Sequence, residues 1–163
     1  MPTRIRKSPA VCLCISIIKL VSGKLRYSRK YHGTLVKMDD GHEYTIFRHI
    51  SNYPIKESKD PTVFIVSFKF ARLTHKANKI ASIIPMLLIT GFPGFHMKMY
   101  AVNRNNGYWQ EKYQWESKQA LEDYKKSFVF MVMNKRVINR SIISIELNNH
   151  QLIDYIKKKD EII

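Results

Sequence analysis

Hydrophobic positions along the chain change period several times, and each change marks an element. In TVFIVSFKF, residues 62–70, Phe64, Val66, Phe68 and Phe70 fall on one side of an extended chain. Val63, Ile65, Ser67 and Lys69 fall on the other, which predicts a strand with one wholly apolar face. Thr74 then offers a helix N-cap, and Ala77, Ile80, Ala81 and Ile84 recur inward at helical spacing until Pro85 interrupts the ladder. MLLITGFPG completes the connection, with Gly91, Pro93 and Gly94 predicting a sharp corner that aims the next strand.

A hairpin follows, from Phe95 to Val102 and from Tyr108 to Trp115, around the turn cluster NRNNG. With Val102 opposite Tyr108, alternation assigns Phe95, Met97, Met99, Ala101, Trp109, Tyr113 and Trp115 to one face. The other face receives His96, Lys98, Tyr100, Gln110, Lys112 and Gln114. Ser117 caps a helix with Ala120, Leu121 and Tyr124 inward, and the apolar run SFVFMVM has no period that assigns it. SIISIEL alternates as a further strand, and Asn149 opens a last helix with Leu152, Ile153 and Ile156 inward.

The order β-α-β-β-α-β predicts an α+β, ferredoxin-like fold, an antiparallel four-stranded sheet with helices on one side. Two parts are expected: residues 1–60 as a basic N-terminal arm and hairpin extension, and residues 61–163 as the ferredoxin-like domain with its C-terminal helix. Within the first part, residues 1–31 hold one short apolar helix or strand, and a hairpin turns at Asp40-Gly41. SNYPIKESKDP reads as a linker. An open sheet leaves a second face to cover, so a homodimer closing an α/β barrel sheet to sheet is expected.

Charge alters this picture at one end. The 163 residues include 28 Lys and Arg against 13 Asp and Glu, a formal charge of +15. From Met1 to Met38 stand Arg4, Arg6, Lys7, Lys19, Lys24, Arg26, Arg29, Lys30 and Lys37, with no acid among them. Such a segment is either a solvated basic face or a polyanion site, and the second reading gives residues 1–38 an anionic membrane surface as partner. Nucleic acid is disfavoured, because the chain has no paired zinc ligands, RNP-like strand or basic heptad region. The apolar run Val11 to Ile18 is too short to span a bilayer and leaves a secretory signal, a membrane-surface helix and packed structure all open. Cys12 and Cys14 are too few for a metal site and suit a reducing, cytoplasmic setting, and His32, His42, His49, His75 and His150 lack metal-ligand spacing.

The stretches TVFIVSFKF, ANKIASIIPMLLITGFPGFHMKMYAVN and YWQEKYQWES, with FRHI at 47–50, resemble YdhR-like proteins of the dimeric α/β-barrel superfamily. That superfamily also takes in the antibiotic-biosynthesis mono-oxygenases. The resemblance implies a homodimer with a small pocket between sheet and helices, and oxidation of an aromatic or hydrophobic molecule with O2 as co-substrate and no metal or flavin. It implies Trp115 and Tyr113 as pocket lining, with Lys98 beside them. Haem is disfavoured, since KQALEDYKKSF lacks the helix histidine of haem-degrading relatives. Where relatives carry Arg and Glu, this chain has His96 and Gln114, which leaves His96 as the candidate base. Tyr100 and Gln110 are candidates to hold a developing oxyanion. A non-enzymatic ligand-binding or stress-response dimer and a peripheral polyanion binder are the alternative functions.

Overall fold

The computed structural model describes residues 8–38 and 41–160. In chain order the elements are α1 (Pro9–Val21), β1 (Leu25–Ser28), β2 (Leu35–Lys37), β3 (Glu43–Asn52), β4 (Thr62–Phe68), α2 (His75–Ala81) and α3 (Ile83–Thr90). They continue as β5 (Phe95–Val102), β6 (Trp109–Trp115), α4 (Lys118–Lys125), α5 (Phe128–Asn134), β7 (Ile143–Asn148) and α6 (Leu152–Asp160).

One antiparallel sheet runs in the order β1-β3-β5-β6-β4-β7, with β2 also paired to β3. Strands β4 to β7 with their helices form the ferredoxin-like unit expected from the pattern, and β1 to β3 widen its sheet to seven strands. The hairpin from β2 to β3 closes with Met38 N–H donating to the His42 carbonyl at 2.9 Å and Gly41 at φ +78. Asp40, the other half of the expected turn, lies outside the described residues.

Central strand β4 is buried on both faces, and its alternation falls as predicted. Phe64, Val66 and Phe68 join a core roofed by α1, α3, α4 and α5, into which Met86, Ile89, Leu121, Tyr124 and Val129 project. Val63 and Ile65 join a second core with Val36, Tyr44, Ile46, Met97 and Met99. The expectation of helices on one side only is corrected here. Leu152 and Ile156 of α6 complete the second core, so the chain's own C-terminal helix packs on part of the face expected to carry no helix.

Two local readings also change. Helix α3 contains Pro85 and runs on through MLLIT, because a proline in the first turn removes only an N–H that has no intrahelical partner. Ile80 and Ile84, expected inward, are exposed, while Asn78 and Ser82 are buried. Asn78 Nδ2 donates to the Arg72 and Leu73 carbonyls, its Oδ1 accepts from Arg136, and Ser82 Oγ accepts from Arg48, so hydrogen bonding orients that helix pair where periodicity pointed the other way. The unassigned run SFVFMVM is helical, with Ser127 Oγ accepting from the Phe130 amide as its cap.

Candidate functional site

A β-bulge at the start of β5 decides which side chains meet. Phe95 pairs with Trp115 and Met97 with Gln114, so His96 is an extra residue, and beyond it the alternation is inverted. Val102 lies opposite Trp109, one residue from the expected register. Met97, Met99 and Ala101 therefore face the α6 side, while Lys98, Tyr100 and Val102 turn under the other helices. The two-face assignment for β5 is overturned at every position after the bulge.

The inversion brings Lys98, Tyr100 and Tyr113 together around Glu111. Lys98 Nζ donates to Glu111 Oε2 at 2.9 Å, the Tyr113 hydroxyl donates to the same oxygen, and both side chains of the ion pair are buried. The ammonium also sits 4.1 Å from the Tyr100 ring centroid and 4.4 Å from that of Tyr113. Burial pushes the Lys98 pKa down to about 8, with Glu111 pulling against it. Burial first, and the Glu111 charge second, hold the Tyr100 and Tyr113 hydroxyls far above the ordinary phenol range, so both stay neutral.

Little space accompanies this cluster. The cavity bordered by Glu111, Tyr113 and Tyr124 measures about 20 Å³, room for one water molecule and far below the roughly 300 Å³ of a small-molecule pocket. Trp115 is fully buried, stacked on Tyr124 at 4.7 Å and on Tyr113 at 6.3 Å. Gln110 lies on the opposite face, where its Nε2 donates to Ser67 Oγ at 3.0 Å. Tyr113, Trp115 and Lys98 thus stand in a packed interior, and neither His96 nor Gln110 joins them.

The large space lies at the end of the sheet. A groove of about 1050 Å³ runs between α1, the loop after β3 and the corner before β5. Val11, Cys14 and Ile15 form one wall, Pro54 and Ile55 another, and Phe92, Pro93 and Phe95 the base. Lys19, Lys24, Lys56, Glu116, Asn52 and His96 supply its polar groups. The bulge is what turns His96 to this groove. His96 is 6% exposed, and its Nδ1 is buried with no hydrogen-bond partner among the described residues. Burial lowers its pKa, Glu116 opposes this, and Lys56 and Lys19 lower it further, so the imidazole is neutral at neutral pH.

Close approach shapes the groove wall. Gly91 has an ordinary φ, but a Cβ there would lie 1.8 Å from the Cys12 carbonyl oxygen, so the residue is glycine to admit the α1 backbone. Gly94 does use its freedom, at φ +76. Ser16 Oγ hydrogen-bonds Thr90 Oγ1 at 2.9 Å and donates to the Leu87 carbonyl, and Lys19 Nζ donates to the Thr90 carbonyl at 2.9 Å. Those contacts fasten α1 to the end of α3.

Sequence reasoning passed over Glu111, although the signal was present: alternation from Trp109 through Tyr113 to Trp115 puts this acid on the same apolar face. The groove had no such signal, because its walls come from segments some eighty residues apart in the chain. Among the described residues no three His, Cys, Asp or Glu side chains are grouped to hold a metal ion.

No family model matches the chain, and no curated protein matches it. Solved structures share its fold. One is an uncharacterized ferredoxin fold protein related to antibiotic biosynthesis monooxygenases from Listeria monocytogenes, 12% identical over 83% of this chain and 88% of that one, with a TM-score of 0.51. Another is a monooxygenase-like protein from Listeria innocua, 10% identical over 83% and 87%, also at 0.51. An anthrone oxidase-like protein gives 14% identity and a TM-score of 0.44; it matches 68% of this chain, which spans only 57% of that one. At these identities the likeness is one of fold, the antiparallel ferredoxin-like α+β architecture of monooxygenase-related proteins.

Proposed function

We propose that this protein, built on a fold shared with monooxygenase-related proteins, binds a small aromatic or hydrophobic molecule carrying an acidic hydroxyl in the groove beside His96. One observation carries the reading: His96, a neutral imidazole whose buried Nδ1 has no hydrogen-bond partner among the described residues, lines a groove of ligand size. Phe92, Pro93, Phe95 and Ile55 offer apolar area for a ring, and Lys19, Lys24 and Lys56 favour the anion that His96 creates by accepting the hydroxyl proton. For a quinol-like molecule, the anion passes two electrons and its remaining proton to O2 and the proton held by His96 follows, giving quinone and hydrogen peroxide, so O2 is the only co-substrate the reading requires.

Cys14 lines the groove and is exposed, whereas Cys12 is buried, so thiol reagents report on the groove alone. Ligands are screened by their protection of Cys14, and oxygen uptake is measured with a panel of quinols. Uptake that is lost in His96→Gln, with Cys14 protection kept, supports catalysis. Protection without uptake supports the binding protein instead, and neither with any aromatic acid or quinol overturns both.

A further inference from the structure

We propose that the outward side of α1, with the basic residues that follow it, docks the protein on an anionic lipid surface. The helix is inside out. Its protein-facing side is small and polar, Cys12 and Ser16 lying against Gly91, Thr90 and Leu87. Its other side presents Ile17, Ile18, Leu20 and Val21, of which Ile18 is 65% and Val21 84% exposed. A helix that meets only water on its outer side carries the reverse pattern. These four aliphatic side chains therefore call for an apolar medium.

Charge identifies that medium. Lys24, Arg26, Arg29 and Lys30 follow the helix, all exposed, and no acid stands among the described residues from 8 to 38. Exposed Tyr27 and Tyr53 flank them, with the Arg26 guanidinium 3.3 Å above the Tyr53 ring, and tyrosine is a residue of membrane interfaces. A second copy seated on this face would set like charges against each other. Nucleic acid would take the cations and leave the aliphatic side chains in water. A leaflet with acidic headgroups receives both, aliphatics at the acyl boundary and cations at the phosphates. The α1 helix has 13 residues, and no described helix is long and apolar enough to cross a membrane, so the contact lies in the plane of the surface. The inference is independent of what occupies the groove.

The test is co-sedimentation of the full chain with vesicles of phosphatidylcholine alone or with about 30% phosphatidylglycerol, at roughly 0.05 M and 0.5 M salt. The parent is expected to bind the anionic vesicles and to bind less at high salt. Ile18→Asp with Val21→Asp should weaken binding about tenfold or more at both salts. Arg26→Gln with Lys30→Gln should weaken it roughly fivefold per charge at low salt. All four positions are exposed, and circular dichroism checks that each variant keeps its fold. No binding to anionic vesicles overturns the proposal. So does undiminished binding by the double-aspartate variant, which would make the contact purely electrostatic and open to DNA as well. A dimer seen by light scattering and lost in the same variant also overturns it, because a second copy would then cover the face.

Discussion

The interior beneath the helices and the groove at the strand ends both hold buried ionisable groups, and they treat them in opposite ways. Under the helices Lys98 is matched by Glu111, Glu111 accepts from Tyr113, and the remaining cavity is about 20 Å³. At the groove His96 lines about 1050 Å³ of space, and its buried Nδ1 has no partner among the described residues. A buried charge that is matched contributes to architecture, because removing either partner strands the other in a low dielectric. The two regions differ in chemistry because one is closed by packing and the other is not.

Breaking the matched pair should have the largest effect. Lys98→Met leaves the Glu111 carboxylate alone, and urea unfolding should show a loss of about 3–5 kcal/mol, most of it recovered when Glu111→Leu is added. A small effect of the single change would remove the contrast. Next comes the fastening of the groove wall: Gly91→Ala drives a methyl into the Cys12 carbonyl, at a cost of about 3 kcal/mol. Displacement of α1 in this variant should make the buried Cys12 thiol reactive, read by thiol titration against the parent.

A histidine away from the groove sharpens the comparison with His96. His49 is buried with neither ring nitrogen hydrogen-bonded among the described residues, edge-on to Tyr31 at 5.6 Å, and burial lowers its pKa from 6.5 to about 4. Between those values the unfolded chain holds a proton that the folded chain does not. Stability from this residue is thus full above pH 6.5 and falls as the pH drops towards 4, by about 3 kcal/mol in all. His49→Phe should flatten that part of the pH dependence of unfolding. His96→Gln should change stability least, by about 1 kcal/mol or less at pH 7, while changing ligand protection of Cys14 or oxygen uptake. A large stability loss there would make His96 another structural histidine.

Much of the fold was legible. The alternation of β4, the Thr74 and Ser117 caps and the inward Leu152 and Ile156 all came from local pattern, and all are observed. The candidate site was legible only in part. His96 stood out beside its glycine and proline corner, but its setting depended on the bulge, and one unpaired residue reverses every side chain that follows. That reversal carried Lys98 and Tyr100 to Glu111 and away from Gln110.

Local spacing by itself determined the kinds of element and their β-α-β-β-α-β order, since those depend on neighbours a few residues away. Charge counting likewise placed the basic bias in the first 38 residues. Tertiary structure alone decided the pairing register, the seating of α1 against Gly91, the return of α6 over the second face and the existence of the groove. Each of these joins segments distant in the chain, and contacts of that kind depend on backbone approach and packing volume, which no local periodicity encodes.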